Sequence, residues 1–272
     1  MTVTDAMLAG WLQMYFWPFL RIGGLVMAAP LLNARAVPAR VRLLLALLLT
    51  LVVAPLLPAA PVLETFSAGW TLHIATEFII GVALGFVLQL VFEATMLAGE
   101  VVSYGMGLGF AQLADPLHGA SAPMLGQFYQ LCAMLLFLAF GGQLRLVELV
   151  VDSFRSAPAG VATLDPAAFM ALVRFGGLCF EGALRISLPA VMALLLVNLS
   201  FGVMNRSAPA LNAMSLGFPL SLIVGLLVLR FTLPQLPSVL TDLLDQAWGF
   251  AGHWVTMGTP NSLVDSTAMA AP

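Results

Sequence analysis

The chain has 272 residues, 61% hydrophobic and 8% charged, with a mean hydropathy of +1.03. A soluble domain carries about 25% charged residues, so this composition excludes a monomeric soluble enzyme; it also excludes disorder, which needs low hydrophobicity and high net charge. Net charge is −3 with ten basic residues, all arginine, which is no footprint for nucleic acid. Asp5 and the lack of a basic n-region predict no cleavable signal peptide.

A membrane-spanning helix takes about 20 apolar residues, so the length leaves room for roughly six to eight spans. Seven apolar segments occur, and all read as helices because lipid admits only helices and closed barrels. The first, 7–32, contains Pro18 and Arg21; the arginine-rich loop 33–42 after it (Asn33, Arg35, Arg40, Arg42) is placed on the cytoplasmic side by the positive-inside rule. The second, 41–60, closes on Pro55, Pro58 and Pro61. The third, 70–93, holds His73, Glu77, Gln89 and Glu93, with Gly81 and Gly85 forming a GxxxG that lets helix backbones approach. His73 and Glu77 share a face at i,i+4 but lack a third ligand, so no metal site is predicted.

The fourth segment is 124–151 and the fifth, 167–203, is overlong for one span. Arg174, Glu181 and Arg185 fall on one face of that fifth helix, with Glu181 and Arg185 spaced to pair at i,i+4. Such charges in hydrocarbon cost on the order of 2.5–3.5 kcal/mol each. The stripe is therefore buried against helices or water, or the helix leaves the bilayer inside an assembly. The sixth and seventh segments, 210–233 and 235–255, are punctuated by Pro219, Pro234 and Pro237, and 256–272 is a polar tail. Cys132 and Cys179 sit inside apolar runs without a CxxC and read as small buried hydrophobes.

Residues 93–123 are too polar and glycine-rich for a lipid-facing span. Glu93 and Glu100 share a helix face; Gly105, Gly107 and Gly109 then remove alternate side chains, and Pro116, Gly119 and Pro123 bar regular continuation. Non-helical backbone at membrane depth survives only inside protein or a water-filled cavity. A loop inside a conduit satisfies that, with Met106, Leu108, Phe110 and Leu113 as its apolar face; the plainer reading is a surface turn between hairpins. Met96, Met106 and Met124 flank it as gap-fillers or a deformable seal. No Rossmann pattern, P-loop or GxSxG occurs, and His118 near Ser121 makes no hydrolase site, so no catalytic residue and no cofactor is expected.

The motifs YFWPFLR at 15–21, APLLNARAVPARVR at 29–42, AGEVVSYGMGLGFAQLADP at 98–116, SFRSAP at 153–158 and SLPAVMALLLVNLSFGVMNRSAPALNAMSLGFP at 187–219 occur in that order. Together they resemble the FliR family of type III export-apparatus proteins, the flagellar branch more than the virulence-injectisome (SctT) branch. The resemblance implies an all-α integral membrane-type protein of helical hairpins, packed in a conical hetero-oligomer with FliP and FliQ, commonly five FliP, four FliQ and one FliR. It implies a FliP-like part, 1–190, followed by a FliQ-like hairpin, 191–255, with the boundary somewhere near 180–205.

The same resemblance implies a non-enzymatic channel subunit in the bacterial inner membrane at the base of the flagellar basal body. FlhA and FlhB would dock on it, and unfolded flagellar subunits would pass. The loop at about 106–123 would project into the channel as a plug, which assigns Gly105, Met106, Gly107, Leu108, Gly109, Phe110, Asp115 and Pro116 to that element. Arg21, Glu77, Glu93, Glu100, Arg174, Glu181 and Arg185 are expected to serve inter-helix charge pairing, with a proton relay as the alternative. Two rival readings are a small-solute secondary transporter, disfavoured because the halves show no self-similarity, and the injectisome counterpart with the same channel role.

Overall fold

A computed structural model describes residues 5–32, 37–57, 68–108, 124–160, 165–207 and 213–257. Among the described residues there are helices and turns and no strand: α1 (Asp5–Ala28), α2 (Ala39–Val53), α3 (Ala68–Gly105), α4 (Met124–Ala139), α5 (Gly142–Ser156), α6 (Pro166–Phe175), α7 (Gly177–Ser207), α8 (Ala213–Thr232) and α9 (Leu236–Met257). Short 3-10 turns follow α2 at Ala54–Leu56 and join α8 to α9 at Leu233–Gln235. Within the described residues four stretches are long and apolar enough to cross a membrane, or five if α4 and α5 make one broken span. That is fewer than the seven apolar segments, because the sixth and seventh join into one stretch, Pro219–Met257, and α1, with Arg21 and Pro18 in it, is not among the candidates.

Three segments differ from the sequence reading, each for a local reason. The third does not stop at 93: α3 runs 38 residues to Gly105, because the small residues Ala94, Ala98 and Gly99 give it a face that neighbours can cover. The fourth is broken by Gly141 in the left-handed conformation, φ 71°, which only glycine adopts readily. Beyond that break α5 is amphipathic: Leu146, Leu149, Val150, Ser153 and Phe154 are buried, while Arg145, Glu148, Asp152 and Arg155 are exposed.

The fifth segment is interrupted at Gly176. Asp165 caps α6 by accepting from the Ala167 N–H at 3.1 Å, with Pro166 in the first helical position. Arg174 thus closes α6 while Glu181 and Arg185 lie in α7, so the three are not one stripe on one helix.

The chain forms two compact units, neither contiguous in sequence: Met1–Gln89 with Gly141–Gly176 and Asp245–Pro272, and Leu90–Phe140 with Gly177–Leu244. In the first unit α1 packs on α2, and glycines bring α1 against α3. A Cβ at Gly81 would collide with the Arg21 carbonyl, and one at Gly85 would stand 2.8 Å from Ala28 Cβ. Phe16 stacks on Trp70 at 5.6 Å. The end of α9 docks on α6, where Trp254 Nε1 donates to the Ala168 carbonyl at 2.7 Å and Phe175 stacks on Phe250 at 4.0 Å. In the second unit a Cβ at Gly99 would stand 2.7 Å from Gly126 Cα, Phe92 meets Phe137 edge-on at 5.4 Å, and α7 packs along α8.

Candidate functional site

Charge placed among apolar helices is stable only when it is paired and hydrogen-bonded, and the first unit meets that condition around Arg21. Its guanidinium is fully buried; Nε donates to Glu77 Oε2 at 2.7 Å, Nη1 to the Ser153 carbonyl at 2.9 Å and Ser153 Oγ at 3.2 Å, and Nη2 to the Ala157 carbonyl at 2.9 Å. The Phe154 ring lies 4.0 Å under the cation, a favourable cation–π geometry. Glu77 uses its other oxygen to accept from the Gly160 N–H at 3.1 Å, and Gly160 reaches that place at φ 77°. One ion pair therefore ties together α1, α3, the end of α5 and the turn beyond it. His73 lies on the same helix as Glu77 but packs edge-on to Trp17, and among the described residues no three His, Cys, Asp or Glu side chains converge.

The second unit fixes the point where α3 ends and the glycine-rich segment begins. The Leu108 N–H bonds to the Ser103 carbonyl at 3.1 Å and the Gly107 N–H to the Tyr104 carbonyl at 3.0 Å, with Gly107 at φ 80°. This is the pattern of a Schellman stop, with glycine in the left-handed position. Met106 sits inside the stop, its side chain buried with Val102, Ala190 and Leu194 and with Leu108 packed against the cluster. Its carbonyl accepts from Ser221 Oγ at 3.0 Å, and a Cβ at Gly225 would stand 2.5 Å from Met106 Cε. So Gly107 stops the helix, Gly225 makes room for the methionine and Ser221 holds its backbone.

Residues 12–247 match the model for bacterial export proteins, family 1. The chain belongs to that family. It is similar to the flagellar biosynthetic protein FliR of Escherichia coli (strain K12), 41% identical over 245 residues that cover 90% of this chain and 93% of that protein. It is likewise similar to the FliR of Pectobacterium carotovorum, 39% identical over 92% of this chain and 95% of that protein. The FliR of Bacillus subtilis (strain 168) is 29% identical over 78% of this chain and 82% of its own length. The chain is a FliR-family member whose long apolar helices suit a membrane.

Within this FliR-family chain the anticipated residues separate. Arg21 and Glu77 meet. Glu181 and Arg185 pair at 3.4 Å inside α7 itself, half exposed, rather than between helices. Arg174 is exposed beside Phe175 and Phe250. Glu93 is half-buried on α3, and Glu100 packs along Gly126, whose Cβ would stand 3.0 Å from Glu100 Cγ. Gly105 is in the last turn of α3, where a Cβ would meet Leu194 Cδ1 at 3.0 Å. Gly109, Phe110, Asp115 and Pro116 lie outside the described residues. Cys132 and Cys179 are half-buried rather than buried.

Sequence reasoning missed Ser153, Ala157, Gly160, Ser221 and Gly225. Three of these act through backbone groups or the lack of a side chain, which leaves no chemical signature. Ser153 carried a faint one, as the only hydroxyl in the apolar stripe of α5.

Proposed function

We propose that this chain is a core, non-enzymatic subunit of the flagellar type III protein export gate. With FliP and FliQ homologues it forms the channel for unfolded flagellar subunits, in the bacterial inner membrane at the base of the flagellar basal body. The observation that carries the reading is the 41% identity to a FliR over 90% of this chain. The relatives named here are all called flagellar, which favours flagellar over injectisome cargo.

Exposed apolar side chains add support: Leu184, Leu188, Leu195 and Leu199 on α7 and Leu226 and Phe231 on α8 are uncovered in the single chain. Faces of that kind belong against lipid or other subunits. One copy of this chain, its FliP-like part over 1–190 and its FliQ-like hairpin over 191–255, would complete a ring of FliP and FliQ copies, with FlhB and FlhA docking on it. The loop at about 106–123 would be the channel plug, rooted at the helix stop of Met106–Leu108.

Native mass measurement of the detergent-extracted particle, with this chain tagged and FliP and FliQ homologues co-expressed, tests the reading. A discrete particle holding several copies of each partner and one tagged chain is expected. A lone monomer or dimer overturns the proposal.

A further inference from the structure

Between α1, α2 and α3 the first unit leaves an apolar cavity of about 300 Å³, at the small end of the roughly 300–1,000 Å³ usual for ligand sites. Phe19, Gly23 and Met27 of α1, Leu43 and Ala46 of α2 and Phe78 of α3 line it. Apart from the adjoining backbone of α1 itself, nothing lies within 4 Å of where a Cβ on Gly23 would stand, so the wall is open there rather than packed.

Arg42 is the one charged residue among the described lining residues. It stands in the first turn of α2, where Nε and Nη2 donate to the Val37 carbonyl at 3.3 and 3.0 Å. Those bonds fix the guanidinium plane and leave Nη1 without a partner among the described residues. Arg40, exposed two residues earlier on the helix, does not line the groove and adds only to the positive charge of this end.

The groove is therefore an apolar slot with a held cation at one end, and that combination selects an occupant. On the candidate span Ala39–Leu56, Arg42 falls at the headgroup end, where an arginine keeps its charge hydrated. The outward face of α2 carries exposed Leu44, Leu47, Leu48 and Leu51, a surface suited to hydrocarbon, so acyl chains are the molecules next to the slot. Basic pockets between spanning helices on the cytoplasmic side hold anionic lipid headgroups, and the arginines of 35–42 place this end there by the positive-inside rule. We propose that the groove holds one acyl chain of an anionic diacyl phospholipid, with its phosphate on Arg42. The proposal stands apart from the export-gate reading.

The test uses the full-length chain with whatever partners co-extract, delipidated and re-equilibrated with equal phosphatidylglycerol and phosphatidylcholine, the bound lipid being counted by native mass spectrometry. Phosphatidylglycerol is expected to be retained in preference, and Arg42→Gln, an exchange at a half-buried position, to reduce that preference about fivefold, the effect of one arginine near a lipid surface. Gly23→Leu fills the slot from α1 and Leu43→Trp from α2; whichever variant stays monodisperse is expected to lose the retained lipid. Equal retention of the two lipids by the wild type, or retention unchanged in Arg42→Gln and in the filled variant, overturns the proposal. A photo-crosslinking side chain at Leu43 that captures polypeptide rather than lipid in cells overturns it as well.

Discussion

Arg21 and Glu77 stand 56 residues apart in the chain and 2.7 Å apart in space, with neither side chain reaching solvent. Removing one partner of such a buried pair leaves an uncompensated charge, which costs about 3–5 kcal/mol. Arg21→Ala and Glu77→Gln are therefore expected to lower the unfolding midpoint of the detergent-solubilised chain sharply. Arg21→Lys is expected to fall near Arg21→Ala, because one ammonium cannot reach Glu77, Ser153 and Ala157 together. The double exchange Arg21→Met/Glu77→Leu is expected to recover much of the loss, and single variants with wild-type midpoints refute the pairing.

Met106 and Gly225 form a second coupled pair. Met106→Ala leaves a cavity and is expected to cost about 2–5 kcal/mol, and Gly225→Ala pushes the methionine out of its place. Combined, the two substitutions are expected to cost less than their sum, since the smaller side chain vacates the space that the new methyl needs. A double-mutant cycle on unfolding free energies checks this, and strict additivity counts against the packing. Gly107→Ala, at φ 80°, is expected to cost a further ~1–2 kcal/mol by forcing an L-residue into the left-handed region.

The proposed plug is tested by separating the segment from its root. Exchanging 109–120 for an equally long Gly/Ser run is expected to raise ion leakage through the membrane while export continues and the chain stays folded. Excising 106–120 is expected to raise leakage too, but also to destabilise the chain, because it removes the buried Met106. An unchanged leak in the Gly/Ser chain rules out the plug.

Not all glycines here are equal. Gly81→Ala drives a methyl into the Arg21 carbonyl, whereas a Cβ at Gly249 in α9 meets nothing within 4 Å. Gly81→Ala is expected to abolish recovery of folded chain. Gly249→Ala is expected to be neutral or stabilising by up to ~1 kcal/mol, the helix-propensity difference. Comparing monodisperse yield and unfolding midpoint of the two variants decides it.

The docking of α6 on α9 combines the Phe175–Phe250 stack with a directional bond from Trp254. Trp254→Phe keeps the ring but removes the 2.7 Å bond to the Ala168 carbonyl, with an expected loss of about 0.5–1.5 kcal/mol. Asp165→Ala removes the cap of α6 and is expected to cost about 0.5–2 kcal/mol. Hydrogen exchange over 165–176 reads both: faster exchange is expected in each variant, and wild-type protection in both refutes the assignment.

Apolar runs revealed nearly every helix because hydrocarbon burial writes itself directly into composition. They did not reveal the breaks at Gly141 and Gly176, since a single glycine in an apolar run is as compatible with a continuous helix as with a stop. Arg21 and Glu77 stood out as charges in the wrong solvent, yet what holds them is largely backbone: the carbonyls of Ser153 and Ala157 and the N–H of Gly160, which any residue possesses. The GxxxG of Gly81 and Gly85 foretold close backbone approach without naming α1 as the neighbour. Met106, read with the loop's apolar face, has its side chain in the core. Its placement depends on an absent side chain 119 residues later, at Gly225, and no local pattern encodes that.

The discontinuity of both compact units has a consequence for how the chain is made. Translation delivers residues from the N-terminus, and domains generally fold as they emerge. Here Arg21 and Glu77 wait for Gly160 before their polar groups are satisfied, and α6 waits for Trp254, three residues from the end of α9. Until then Arg21 and Glu77 can meet only each other, and the apolar faces that later segments cover stay open. Each unit joins segments made far apart in time, and insertion machinery or waiting partner subunits have the whole of that interval in which to act.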